Sequence, residues 1–193
     1  MKLFGNSWRS LSDEDLMSKV DGGDVRAMEE IYHRYSKPLL RYFYRMLGHD
    51  KKRAEDFLHD LFIKIMLKSD QFNSKKKFST WFYSIAHNMC KNEYRRQAFM
   101  TSVNHREKDH GYLDESVTYT LDHESFQKML TRILMEEDEE ARTIFILRHE
   151  LEMTFGEIGE VLNCPEGTVK SRLFYLKKKL ALELYHYKEI LEK

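Results

Sequence analysis

The chain has 193 residues, with 32 lysines and arginines balancing 32 aspartates and glutamates, a hydrophobic content of 41%, eight glycines and two prolines. That is enough apolar material for one large or two small cores, with little to interrupt long helices. No apolar run approaches the roughly 20 residues that span a bilayer, and the opening MKLFGNSWRSLSDEDL lacks the apolar stretch of a secretory signal, so the reading is a soluble, cytoplasmic protein without membrane insertion.

Helical periodicity dominates and strand alternation is scarcely visible, which predicts an all-α fold. A first helix over Asp13 to Asp21 is capped by Ser12. The next, from about Asp24, turns Ala27, Ile31, Tyr35, Leu39, Leu40, Phe43 and Leu47 inward; Pro38 should bend or break it, and Gly48 closes it. The third carries an apolar stripe of Ala54, Phe57, Leu58, Leu61, Phe62, Ile65 and Met66, opposite a face of Glu55, Asp56, His59, Asp60 and Lys64. After the polar loop Ser69 to Lys77, a fourth helix from Ser79 or Thr80 through Arg96 places Phe82, Ile85, Ala86 and Met89 inside. Trp81, Tyr83, His87, Asn88, Lys91, Asn92, Tyr94, Arg95 and Arg96 are left outside.

The next segment, Phe99 to about His123, has no sustained period and reads as a flexible tether. Helices resume over Ser125 to Met135, pause at the acidic run Glu136 to Glu140, and continue through Ala141, Ile144, Phe145 and Leu147. The expectation is two small helical domains, at 1–98 and 124–193, joined by a linker at 99–123. Charge is segregated along this plan: Lys51 to Ala98 holds 11 cations and 5 acids, whereas Phe99 to Ala141 holds 4 cations and 11 acids. Polyanions respond to local patches, so the balanced total does not exclude a nucleic-acid ligand. The acidic run suits a helix start; a second reading is repulsion of DNA or contact with a basic surface.

Thr154 to Leu180 is the most specific stretch. Thr154 with Glu157 forms a capping box, and Phe155, Ile158, Val161 and Leu162 make the buried side of a short helix that Asn163 can end in the left-handed conformation. Gly159 leaves room for close approach. Pro165 and Glu166 suit the first turn of a second helix, which hides Val169, Leu173, Leu176 and Leu180. Its other face offers Thr168, Lys170, Ser171, Arg172, Tyr175, Lys177, Lys178 and Lys179. This is the layout of a DNA-reading helix-turn-helix, in which side chains near the start of the second helix meet base edges and later cations meet phosphates. The competing reading is an ordinary amphipathic hairpin with a solvated lysine face.

Other chemistries find little support. Cys90 and Cys164 stand far apart, giving neither a disulfide framework nor a metal pair, and HNMC at His87 to Cys90 is an isolated spacing. There is no phosphate loop, nucleotide-binding glycine fingerprint or nucleophile elbow, so neither catalysis, cofactor nor metal is expected.

Taken in order, AEDFLHDLFIKIM, FSTWFYSIAHNMCKNEYRR, ARTIFILRHELEMTFGEIGEVLN and PEGTVKSRLFYLKKKL resemble the extracytoplasmic-function group of bacterial sigma factors, over nearly the whole chain from about Leu16. The resemblance implies that the first domain is region 2, which docks on core RNA polymerase and opens the minus-10 element, and that the second is region 4, which reads the minus-35 element. It places Asp56, His59, Asp60 and Lys64 toward the polymerase. In the loop Asp70 to Phe78, which matches the segment that captures a flipped minus-10 base, it points to Phe72, Asn73 and Lys77. On the helix that follows it points to Trp81, Asn88, Lys91, Arg95 and Arg96, with Trp81 equally readable as core. The minus-35 set is Thr168, Lys170, Ser171, Arg172, Tyr175 and Lys178. The partners implied are core polymerase, promoter DNA and an anti-sigma factor. His59, Met66, Glu136 and Gly159 depart from common family residues. A stand-alone regulator using only the helix-turn-helix is the alternative, although its first domain would be expected to carry a ligand pocket or dimer seam.

Overall fold

In the computed structural model, residues 8–104 and 123–191 are described, and among them every regular element is a helix, eight α-helices and two short 3-10 turns. The expected tether lies largely at 105–122, outside the described residues.

Helix α1 (Asp13–Asp21) starts at Ser12, whose hydroxyl accepts the Asp15 amide at 3.1 Å. Helix α2 (Val25–Met46) starts at Asp24, whose carboxylate accepts the Arg26 and Ala27 amides and, through its other oxygen, the Trp8 indole N–H. Pro38 lies within α2, which runs through it without a break. Neighbouring turns and burial of Leu39, Tyr42 and Phe43 hold the helix where one backbone donor is missing. Left-handed Gly48 and His49 (φ 73° and 64°) turn the chain into α3 (Lys51–Leu67). Ala54, Leu58, Leu61, Phe62 and Ile65 of α3 are buried, but Met66 is 56% exposed. Ile65 fills the inward slot of that turn, so its neighbour faces out.

Helix α4 (Phe78–Asn104) starts earlier and runs further than its periodicity suggests, into the segment expected to be linker. Phe78, Phe82 and Ala86 complete the first core with Leu16, Ile31, Phe43 and Leu61. Tyr83 and His87, expected outside, are both 3% exposed. Tyr83 stacks edge-on against Tyr42 at 5.8 Å, while His87 faces the second half of the molecule.

That second half comprises α5 (His123–Glu136), α6 (Glu139–His149), α7 (Phe155–Leu162) and α8 (Glu166–Leu191). Asp138 caps α6, accepting the Ala141 amide at 2.7 Å. Ile144, Leu147, Ile158, Val161, Val169, Leu173 and Leu176 form its core. The two halves are packed together: α4 lies along α7, and α2 touches α6. At this seam the guanidinium of buried Arg142 donates to the Leu134, Met135 and Glu137 carbonyls at 2.8–3.0 Å and to the Tyr94 hydroxyl at 2.9 Å; it also reaches the Met46 carbonyl at 3.4 Å. It thereby adds a partner to carbonyls at the ends of both α5 and α2, where the Leu134 carbonyl also takes the Glu137 amide and the Met46 carbonyl the Tyr94 hydroxyl. Thr143 and His87 meet at 3.3 Å, and Arg45 pairs with Glu150 at 2.8 Å.

Candidate nucleic-acid interface

The helix-turn-helix is assembled by local chemistry. The Thr154 hydroxyl accepts the Glu157 amide at 3.3 Å while the Glu157 carboxylate accepts the Thr154 amide at 2.7 Å, closing the capping box. Asn163 takes the left-handed conformation (φ 52°, ψ 48°) and the Cys164 amide returns to the Gly159 carbonyl at 2.9 Å. A Cβ on Gly159 would stand 2.7 Å from the Cys164 carbonyl oxygen, so the bare Cα is what lets the turn close over α7.

Along α8, Val169, Leu173, Leu176 and Leu180 are buried and the expected reading face looks outward. Lys170, Ser171, Tyr175 and Lys178 are exposed; Thr168 and Arg172 are half-buried. Lys170 pairs with Glu166 one turn back at 2.5 Å, and Ser171 returns its hydroxyl to the Thr168 carbonyl at 3.0 Å. Phe174, 64% exposed and 5.6 Å ring-to-ring from Tyr175, extends this face. It escaped the sequence reading because an aromatic beside Leu173 counts naturally toward the core.

In the first half, Phe72 packs half-buried against Trp81 at 5.1 Å and Phe78 at 5.6 Å, so the loop ahead of α4 is nailed to an aromatic nest. Trp81 is half-buried within it. Asn73 turns the loop, its side-chain oxygen accepting the Lys75 amide at 3.0 Å. Lys77, Asn88, Arg95 and Arg96 are exposed and Lys91 half-buried. Arg96 forks onto Glu93, whose carboxyl is held below its usual range chiefly by that guanidinium. Sequence reasoning missed the supports of this loop. Glu14 of α1 accepts the Phe78 amide at 2.8 Å and Asp21 accepts the Ser69 hydroxyl at 3.1 Å, so both ends of the loop rest on α1. The acids of α1 show in sequence only as a favourable first turn; nothing local says what they reach.

On α3, Asp56, His59, Asp60 and Lys64 are all exposed along one side, interrupted by Ile63 at 54%. This is a stripe of mixed charge with an apolar centre.

The structure also joins what the sequence kept apart. Glu140, in the first turn of α6, pairs with Lys91 of α4 at 3.6 Å through one oxygen and with Arg172 of α8 through the other. Glu157 pairs with Lys77 at 2.5 Å; that ammonium, with the Thr154 hydrogen bonds, holds the carboxyl at about 2. Glu137 pairs with Lys179 at 2.5 Å. Two acids of the run, Glu137 and Glu140, are thus paired with this chain's own cations, and Asp138 caps α6.

Residues 31–99 match the model of Sigma-70 region 2 and residues 128–180 that of Sigma-70, region 4. The chain belongs to the sigma-70 family. Among curated relatives, it is 29% identical over 187 residues to the ECF RNA polymerase sigma factor SigW of Bacillus subtilis strain 168, covering 87% of this chain and 94% of that one. It is 27% identical over 173 residues to the ECF RNA polymerase sigma-E factor of Escherichia coli K12, covering 85% and 90%. These relatives place it in the extracytoplasmic-function group. Two solved structures share the fold. One is of CnrH in complex with the cytosolic domain of CnrY (TM-score 0.68, 19% identity, 90% of this chain and 97% of that chain). The other is of the sigma factor RpoE with the anti-sigma factor NepR from Bartonella quintana (TM-score 0.62, 22% identity, 81% and 98%). Region 2 therefore comprises α2, α3 and most of α4, and region 4 lies in α5 to α8. No helix among the described residues is long and apolar enough to cross a membrane.

Proposed function

We propose that this sigma factor binds core RNA polymerase through the exposed α3 stripe of Asp56, His59, Asp60 and Lys64, and carries the complex to promoters read by its two basic helices. The minus-35 element meets α8 through Thr168, Lys170, Ser171, Arg172, Tyr175 and Lys178. The minus-10 element meets the loop and α4 through Phe72, Asn73, Lys77, Trp81, Asn88, Lys91, Arg95 and Arg96. The observation that carries this reading is the pairing of a capped helix-turn-helix with a second basic helix whose leading loop is rigidly supported. The same reading takes the domains as 1–98 and 124–193, with α4 running on to Asn104 past the first limit, and assigns an initiation role without catalysis in the cytoplasm.

Energetics explain the need for polymerase. Opening DNA loses about 1.4 kcal/mol of stacking per base step and extruding a base a few kcal/mol more, beyond what one small helical domain supplies. Two modules held at fixed spacing raise each other's effective concentration on the promoter. Because both structural neighbours are held by protein partners, and one of those is named an anti-sigma factor, an inhibitor of this class is the partner expected here.

The deciding experiment combines purified chain, core polymerase and promoter DNA and scores permanganate reactivity of minus-10 thymines. Reactivity should require both proteins, weaken at least tenfold with Arg172→Glu, and disappear with Asp56→Arg because the holoenzyme no longer forms. Absence of co-elution with core polymerase in gel filtration would overturn the reading.

A further inference from the structure

Helix α4 starts without a cap from its own neighbourhood. Lys77 stands at the N-cap position, where its carbonyl takes the Trp81 amide at 3.3 Å, and a lysine side chain carries no acceptor for the amides of the first turn. The Phe78 amide is taken instead by the Glu14 carboxylate of α1 at 2.8 Å, in a partly buried bond across 64 positions of sequence. A carboxylate there also faces the positive end of a 27-residue helix.

Two further acids of α1 address the same loop. Asp13 accepts the Tyr35 hydroxyl, and the Tyr35 ring sits edge-on against Phe78 at 5.3 Å and Phe82 at 5.2 Å. Asp21 accepts the hydroxyl of Ser69, whose carbonyl in turn takes the Phe72 amide at 3.1 Å. Leu16 and Met17, both fully buried, pin α1 to the core between these acids. The stretch 73–77, between the anchored ends, is exposed throughout. Helix α1 itself precedes the segment that matches region 2.

We propose that α1 is a positioning element for minus-10 capture, with Glu14 as its principal residue: the carboxylate caps α4 from a distance and so holds Phe72, Phe78 and the exposed stretch 73–77 in the shape that receives an extruded base. The inference rests on the reading of that loop as the minus-10 site. Its energetic basis is preorganisation. A loop already held in its bound shape loses less freedom on binding, whereas an uncapped helix start frays and must be ordered in the complex. Phe72 is the sensitive joint, because it packs on Phe78 at 5.6 Å and Trp81 at 5.1 Å and follows them when the first turn of α4 moves. Glu14 acts through the Phe78 amide and touches no DNA.

The test uses the holoenzyme formed from the full-length chain and core polymerase. Its probe is a fluorescent single-stranded oligonucleotide carrying the minus-10 non-template strand of a promoter that the wild-type holoenzyme transcribes. Glu14→Ala should weaken binding of this strand about tenfold in anisotropy, while affinity for core polymerase and for a minus-35 duplex stays within about twofold. Glu14→Gln keeps an acceptor for the Phe78 amide and should recover binding to within about threefold of wild type. Asp15→Ala removes the same charge from an exposed position in the same turn of α1 and should change binding by less than about twofold. The sign is diagnostic: an acid acting only through its charge near Lys77 would repel the strand, so its loss would tighten binding. Unchanged or tighter binding by Glu14→Ala would overturn the proposal, and so would a loss matched in core-polymerase affinity, which marks general destabilisation. Should the wild-type holoenzyme ignore the oligonucleotide, the minus-10 reading itself falls. Amide exchange over 69–80 in the free chain, expected to quicken about tenfold in Glu14→Ala and not in Asp15→Ala, would still decide whether α1 holds the loop.

Discussion

The helix-turn-helix and the seam between α4 and α6 are built on different scales. In the first, every device joins near neighbours: Thr154 with Glu157, Gly159 with Cys164, Lys170 with Glu166. In the second, Arg142 reaches Met46 and Tyr94, Thr143 reaches His87, and Glu140 reaches Lys91 and Arg172. Local devices form whenever the chain forms helices, whereas the seam exists only while the halves are docked. The comparison separates what region 4 holds by itself from what it holds only against region 2.

The largest effect should come from Arg142. Replacing it with Ala takes this partner from the Met135 and Glu137 carbonyls and removes one of two partners from the Leu134 carbonyl and the Tyr94 hydroxyl, at a site 6% exposed. With about 1–3 kcal/mol for each buried acceptor left unpaired, offset by relaxation and water entry, the net loss is roughly 4 kcal/mol. Differential scanning calorimetry should show a fall of about 8–16 °C, taking about 2–4 °C per kcal/mol for a chain of this size. Arg142→Lys should recover little, since an ammonium cannot reproduce the planar fork. A change of only one or two degrees would mean the seam contributes little and would collapse the contrast with the helix-turn-helix.

His87 gives the seam a pH signature. Burial, reinforced by Lys91, holds its imidazole down at about 4. Above the ordinary histidine value near 6.5 the ring is neutral folded or unfolded and contributes nothing. As pH falls from there the unfolded chain takes up a proton that the folded chain refuses, so stability drops until about pH 4 and then levels. Linkage sets an upper bound of about 3 kcal/mol. Glu139 and Glu150, whose carboxyls burial pushes up, act in the opposite direction, so the measurement is the difference between wild type and His87→Asn. Thermal midpoints recorded from pH 7 to 4 should diverge in that window, with wild type losing more. Parallel curves would show that the histidine is not sealed by the seam.

These two residues also mark where the sequence stops being legible. The fold class, the helix-turn-helix, its cap, its left-handed Asn163 and the exposed stripe of α3 all follow from spacing within one or two turns. Tyr83, His87, Arg142 and Thr143 do not, because α4 and α6 are each covered on a second side by a partner distant in the chain. A single hydrophobic stripe describes a helix with one neighbour; a polar residue on the opposite side reads as solvated until the second neighbour is known. The same blindness applied to the acidic run, which spacing showed only as suited to a helix start, while the capping role of Asp138 and the partners of Glu137 and Glu140 came from the structure.

The smallest predicted effect isolates the local side of the comparison. Thr154→Ala removes the acceptor for the Glu157 amide, a loss of about 1 kcal/mol for an exposed N-cap, seen as a shift of about 2–4 °C in the thermal midpoint. Glu157 serves both scales at once: one carboxylate oxygen holds the Thr154 amide and the other holds Lys77 across the seam. If the scales are separable, Thr154→Ala leaves zero-length carbodiimide crosslinking of Lys77 to Glu157 at wild-type yield, Lys77→Ala leaves the stability of region 4 unchanged, and the two substitutions add. Coupling between them beyond about 0.5 kcal/mol would mean that the cap is aimed by the seam, so that the start of α7 depends on the contact with the loop ahead of α4 as well as on its own cap.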